Sequence, residues 1–143
     1  MVVNRMGKPQ LAESVNVLII DDSPTTRRII RHHFEQIGCR IVAEAENGAQ
    51  GLKLFRELRP HLVTLDLIMP AVDGVDSLSA FRTMRKENPR AAILVISAMP
   101  FEKTRQTVID EGALAYIIKP FNKFSFEQVR SRLLRAFPEL IWR

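Results

Sequence analysis

The chain has 143 residues, 46% of them hydrophobic and 26% charged, with a formal net charge of +5. That is the length of one domain with a substantial core and too short for two; no apolar run approaches the ~20 residues of a membrane-spanning helix, and the N-terminus lacks the apolar stretch of a secretory signal. The single cysteine, Cys39, makes no internal disulfide, which points to a reducing cytoplasm and reads as a packed or surface thiol rather than a nucleophile.

Residues 1–14 hold Gly7 and Pro9 without sustained periodicity and read as a flexible N-terminal extension. The domain begins at Val15, where an apolar run to Ile20 reads as a strand ending in Asp21-Asp22. Ser23 is an N-cap with Pro24 at the first helical position, so a helix is predicted over Thr25 to Ile37, stopped by Gly38. A second strand, Arg40 to Ala45, carries Glu44 near its end. Asn47-Gly48 then precedes a helix from Ala49 to Arg59 that ends before Pro60. Leu62 to Leu65 is the third strand, followed by Asp66, and Asp73-Gly74 precedes a helix from Val75 to Glu87. Ala91 to Ile96 is the fourth strand and leads into Ser97; Pro100 opens a weaker helix to about Asp110, ended by Gly112. Leu114 to Ile118 is the fifth strand, running into Lys119-Pro120. The last helix is expected to start at Ser125, with Gln128 completing a capping box and Phe126, Val129, Leu133 and Phe137 forming one apolar stripe. Residues 15–137 make the domain, and 138–143 are a short tail whose Leu140, Ile141 and Trp142 either fold back or offer a contact to another subunit.

The strands are continuous runs of Val, Ile and Leu, as expected where helices cover both faces of a sheet. Alternation of strand and helix predicts an α/β fold: a (βα)5 doubly wound, five-stranded parallel sheet of order 2-1-3-4-5, flavodoxin-like. In that order a crevice opens between the carboxyl ends of strands 1 and 3, where Asp21, Asp22 and Asp66 fall. Glu44, on the edge strand, is expected to lie away from it.

Three carboxylates in one crevice repel one another, so a proton or a cation must be present. Hard oxygen ligands with room for water suit Mg2+, and no loop has calcium-binding spacing. Lys119 adds a positive charge to the same edge and Ser97 a hydroxyl. With the metal they would hold an anion bearing several oxygens, which describes a phosphoryl group. A carboxylate attacking phosphorus gives an acyl phosphate, and Asp66, alone on the middle strand, is the candidate nucleophile. Singly, an Asp or Ser at a strand end is more often a helix cap than a functional group. Together, their spacings of one to one and a half βα units put all of them on one edge.

The segments Val17-Leu18-Ile19-Ile20-Asp21-Asp22-Ser23-Pro24, Leu65-Asp66 through Asp73-Gly74, Ser97-Ala98 and Tyr116-Ile117-Ile118-Lys119-Pro120 resemble the receiver domain of two-component response regulators over about residues 15–137. The resemblance implies that Asp66 is phosphorylated from a phosphohistidine of a sensor histidine kinase or histidine phosphotransfer protein. It implies that Asp22, Asp66 and the backbone carbonyl of Ile68 bind Mg2+ directly and Asp21 through water. It further implies that Lys119 pairs with the phosphoryl group across a cis Lys119-Pro120 bond. Ser97 and Tyr116 look like the family's switch pair, coupled to the face made by helix 4, strand 5 and helix 5. Receivers are not usually classed as enzymes, and none is implied here.

Ile68 and Met99 occupy the family's variable positions beside the phosphorylation site, and neither side chain hydrogen-bonds a hydrolytic water, which predicts slow self-dephosphorylation. Arg27, Arg28, Arg31 and Arg40 on one segment and Lys123, Arg130, Arg132 and Arg135 on another become neighbours through helices 1 and 5, giving a basic docking face for an acidic phosphodonor or a solvated face without a partner. His32, His33 and His61 lack ligand spacing and read as surface residues. A haloacid-dehalogenase-like phosphatase would need an acid where Ile68 stands, and a flavin carrier a Ser/Thr/Gly-rich loop where Asp21-Asp22 stands. A nucleic-acid-binding module would explain the charge, but no DNA-binding domain such as a helix-turn-helix is recognisable. With only six residues after the last helix, the reading is a stand-alone receiver signalling through its own surface, or a phosphorelay intermediate or phosphate sink.

Overall fold

The computed structural model describes residues 2–3, 9–10 and 15–138. Strand β1 (Asn16–Ile20) is followed by α1 (Pro24–Gln36), β2 (Arg40–Ala45), α2 (Gly48–Leu58), β3 (Leu62–Leu65), α3 (Ser77–Glu87), β4 (Ala92–Ser97), α4 (Glu102–Asp110), β5 (Ala115–Ile118) and α5 (Lys123–Ala136). The five strands are parallel in the order β2-β1-β3-β4-β5, the predicted 2-1-3-4-5. Within the segment read as an unstructured extension, Val2–Val3 pairs antiparallel with Pro9–Gln10 as a separate two-stranded ladder. The apolar tail residues Leu140, Ile141 and Trp142 lie outside the described residues.

The sheet has a core on each face, which is why its strands are apolar at successive positions. Val17, Ile19, Leu62, Leu94, Ile96 and Ile117 point to the side covered by α1 and α5, where they meet Ile30, Phe34, Phe126, Val129 and Leu133. Leu18, Ile20, Val63, Leu65, Ile93 and Val95 point to the other side, against Leu52, Phe55, Phe81, Met84 and Val108 from α2, α3 and α4. The edge-to-face contact of Phe34 with Phe126, 5.4 Å between centroids, ties α1 to α5. Helices 1 and 5 are thus neighbours, as the strand order requires.

Three helix starts lie two residues from the sequence reading, each for a local reason. Asp73-Gly74 is a tight turn, not a helix entry: both residues have positive φ (52° and 73°), and the turn closes reciprocal bonds between Val72 and Val75. The helix therefore begins later, with Asp76 as N-cap accepting from the Ser79 amide at 2.7 Å. Helix α5 begins at Lys123, because Asn122 is the cap and Ser125, the third helical residue, is its capping-box partner rather than a cap itself. The Ser125 hydroxyl accepts from the Asn122 amide while Asn122 Oδ1 accepts from the first-turn amide of Phe124. Helix α4 starts at Glu102, two residues beyond Pro100, and Phe101 at its N-cap makes no side-chain bond.

Candidate functional site

The ends of β1, β3 and β5 are brought to one edge by hydrogen bonds that continue each ladder a step past the strand. The Asp21 N–H donates to Ala45 O (3.0 Å), that of Asp66 to Ile20 O (3.0 Å), and that of Lys119 to Ser97 O (2.9 Å). Asp21 and Asp66 are 1% and 5% exposed, whereas Asp22 is exposed. Carboxylate oxygens of Asp21, Asp22 and Asp66 all lie within 4.8 Å of one another. Burial and proximity of like charges would be costly unless compensated.

Compensation comes first from Lys119, whose Nζ lies 2.8 Å from Asp21 Oδ2 and 3.0 Å from Asp66 Oδ2. Burial pulls its pKa down, but the hydrogen bonds to Asp21 and Asp66 and the charges of both acids outweigh it, and the ammonium is held above the usual lysine value. The second oxygens are capped by the chain itself: Asp21 Oδ1 accepts from the Ser23 amide and Asp66 Oδ1 from the Ile68 amide, both at 2.9 Å. The Lys119-Pro120 bond is cis. Three carboxylates against one ammonium leave a negative excess, and the donor set is all oxygen with one exposed member. Those properties fit a hard divalent cation such as Mg2+, which keeps part of its water shell.

Beside the acids, Ser97 at the end of β4 is fully buried, and its Oγ accepts from the Met99 amide at 3.3 Å. The half-buried Tyr116 of β5 donates its hydroxyl to the Met99 carbonyl at 2.7 Å. Burial raises the Tyr116 pKa and the charge of Asp66 adds to this, against the opposing effect of the Ser97 hydrogen bond and of Arg105. The predicted pair is thus joined through the backbone of Met99, a contact no side-chain pattern announces. Ile68 is 49% exposed at the rim.

Glu44 lies outside the acid cluster, as expected, but is not idle. It binds Arg27 (Nε to Oε1, 3.1 Å) and Arg31 (Nη2 to Oε2, 2.7 Å). These two arginines are therefore occupied, and Arg132 donates to the Leu114 carbonyl and lines the groove between α4 and α5. Of the three histidines, His32 is exposed as expected and the other two are not. His33 is half-buried and stacks on Phe126 at 4.5 Å, and His61 Nδ1 accepts from the Asn16 amide at 2.9 Å. Cys39 is buried, which pushes its thiol up to about 12. No helix among the described residues is long and apolar enough to cross a membrane.

Comparison with known proteins finds relatives over most of the chain. The response regulator receiver domain family matches residues 17–130. The chemotaxis protein CheY of Bacillus subtilis is 37% identical over 105 residues, spanning 73% of this chain and 85% of its own length. A protein-glutamate methylesterase/protein-glutamine glutaminase of Hahella chejuensis is 35% identical over 108 residues, 74% of this chain but 30% of that larger protein. Among solved structures, a chain of the CheX-CheY-BeF3-Mg2+ complex from Borrelia burgdorferi superposes with a TM-score of 0.74 at 26% identity, covering 94% of this chain and 95% of its own.

Proposed function

This chain belongs to the response regulator receiver family, and from that premise we propose that it accepts a phosphoryl group on Asp66 from a phosphohistidine of a sensor histidine kinase or histidine phosphotransfer protein. An oxygen of the Asp66 carboxylate attacks phosphorus, the phosphorus–nitrogen bond breaks, and the imidazole leaves with the electron pair. Asp22, Asp66 and the backbone carbonyl of Ile68 would hold Mg2+, with Asp21 acting through water, and the ion supplies positive charge to the acids and to the phosphoryl oxygens. Lys119 moves from its carboxylate partners to the new phosphoryl group, and Ser97 donates its hydroxyl to a phosphoryl oxygen. The observation that carries this reading is the Lys119 ammonium held between two buried carboxylates, a countercharge beside a nucleophile.

The output follows from the Ser97–Met99–Tyr116 connection. When Ser97 turns to the phosphoryl group it leaves the Met99 amide, and Tyr116 is bonded to the carbonyl of that same residue. Tyr116 lines a groove between α4 and α5, beside exposed Ile118 and Phe124. Repacking there would present a changed α4–β5–α5 surface to a protein partner, a signalling role rather than an enzymatic one. Incubation with a small phosphodonor and Mg2+ should give an acid-stable, base-labile adduct that Asp66→Asn abolishes. A label that persists in that variant would refute the assignment. A pull-down with and without beryllium fluoride then identifies partners gained on activation.

A further inference from the structure

We propose that Arg27, anchored by Glu44, is a positioning residue for the acid pair: it fixes the Asp21–Asp22 peptide and thereby sets the affinity of the site for Mg2+. The inference rests on the metal reading above. Arg27 lies in the first turn of α1, where its amide bonds the Ser23 carbonyl, and its side chain is only 16% exposed despite its charge. Its Nη1 donates to the main-chain carbonyl of Asp21 at 2.6 Å while Nε holds Glu44 Oε1 at 3.1 Å. The other Glu44 oxygen is taken by Arg31 through Nε and Nη2, at 3.0 and 2.7 Å. Neither end of the Arg27 bridge is thus free to swing.

The Asp21 carbonyl shares a rigid plane with the Asp22 amide. Fixing that carbonyl fixes the direction in which Asp22 leaves the strand. Asp22 needs this help, because among the described residues no hydrogen bond of its exposed side chain orients it. The end of β2 grips Asp21 twice: the Ala45 carbonyl takes its N–H, and Glu44, through Arg27, holds its C=O. An ordinary partly exposed ion pair contributes little and would need no main-chain acceptor beside a carboxylate cluster. Groups that orient metal ligands, by contrast, commonly change affinity by about 10–100-fold when removed.

The test is a Mg2+ titration of the 15N-labelled full chain, followed by NMR, for the wild type, Arg27→Met, Arg27→Lys, Glu44→Gln and Arg28→Ala. Arg27→Met should raise the Mg2+ Kd about tenfold, and should shift the Asp22 amide resonance before any metal is added. Arg27→Lys and Glu44→Gln should give smaller rises, since a lysine cannot hold both partners and a glutamine binds Arg27 without charge. Arg28→Ala, an exposed neighbour, should leave the Kd unchanged. A folded Arg27→Met protein with the wild-type Kd overturns the inference, even if its Tm falls. Should that variant not fold, wild-type Kd values in both Arg27→Lys and Glu44→Gln overturn it instead. A wild type that does not bind Mg2+ refutes the metal reading itself, and this inference with it.

Discussion

Two parts of one sheet edge carry polar residues at strand termini yet are held in opposite ways. At the ends of β1, β3 and β5, each buried carboxylate is bonded on both oxygens, Asp21 by Ser23 and Lys119, Asp66 by Ile68 and Lys119. A step away, Ser97 keeps a long 3.3 Å bond to the Met99 amide, and the neighbouring α4 begins without a side-chain cap and buries only Val108. Charge-assisted bonds are roughly twice as strong as neutral ones, so the acid end is the rigid half and the β4–α4 end the adjustable one. A receiver needs that division: the chemistry requires fixed geometry, and the signal requires something that moves when the geometry is occupied.

Removing Lys119 attacks the rigid half and should have the largest effect. Lys119→Met should slow phosphorylation of Asp66 about a hundredfold, the usual consequence of losing one donor to a developing anion. The same change leaves Asp21 and Asp66 facing each other uncompensated and should cost about 1–3 kcal/mol of stability, part of it restored by Mg2+. Urea unfolding with and without the ion reads both numbers. A Lys119→Met protein of wild-type stability in the absence of Mg2+ would show that the acids are not held as described.

The rim residues test the lifetime of the occupied state. Replacing Ile68 with Asn and Met99 with Thr supplies hydrogen-bonding groups for an in-line water, and loss of phosphate from Asp66 should become several-fold faster. Unchanged decay kinetics would mean that these side chains only pack at the rim.

A cap added to α4 sharpens the contrast from the other side. Phe101→Asp gives that helix the side-chain acceptor it lacks and should stabilise the chain by about 1 kcal/mol. Amide exchange within α4 should slow while Mg2+ binding stays unaltered; faster exchange would mean that α4 is held by something other than its cap. The smallest effect concerns pH. Because the Lys119 pKa is raised in the folded state, its contribution is complete below the unfolded value of about 10.4 and is lost only as pH climbs past the higher folded value. The stability gap between wild type and Lys119→Met should therefore be flat through neutral pH and narrow in strong alkali. A gap that closes near neutrality would contradict the assignment of Lys119 as the countercharge.

The fold was legible because its signals are local and repeated: apolar runs of strand length, each with a cap or stop, place all five strands within a residue of their observed ends. The acids, Lys119 and Ser97 were legible because strand order alone delivers them to one edge. Asp73-Gly74 misled because Asn, Asp and Gly serve both as helix entries and as left-handed turn residues, and only the Val72–Val75 pairing distinguishes the two. Ser125 misled because a serine oxygen serves either as a helix cap or as the capping-box partner three residues after one. The roles of Arg27 and of Glu44 depend on where long side chains reach across α1 and β2, and sequence spacing carries no such information. The Met99 link is made by main-chain atoms, which every residue has.

The central claim is that Asp66, and neither of the acids beside it, receives the phosphoryl group. Phosphorylating the chain with a small donor and Mg2+, reducing it with borohydride and sequencing the peptides by mass spectrometry tests this directly, since reduction converts an aspartyl phosphate to homoserine. The account predicts homoserine at position 66 alone. Homoserine at position 21 or 22 with Asp66 intact would contradict it.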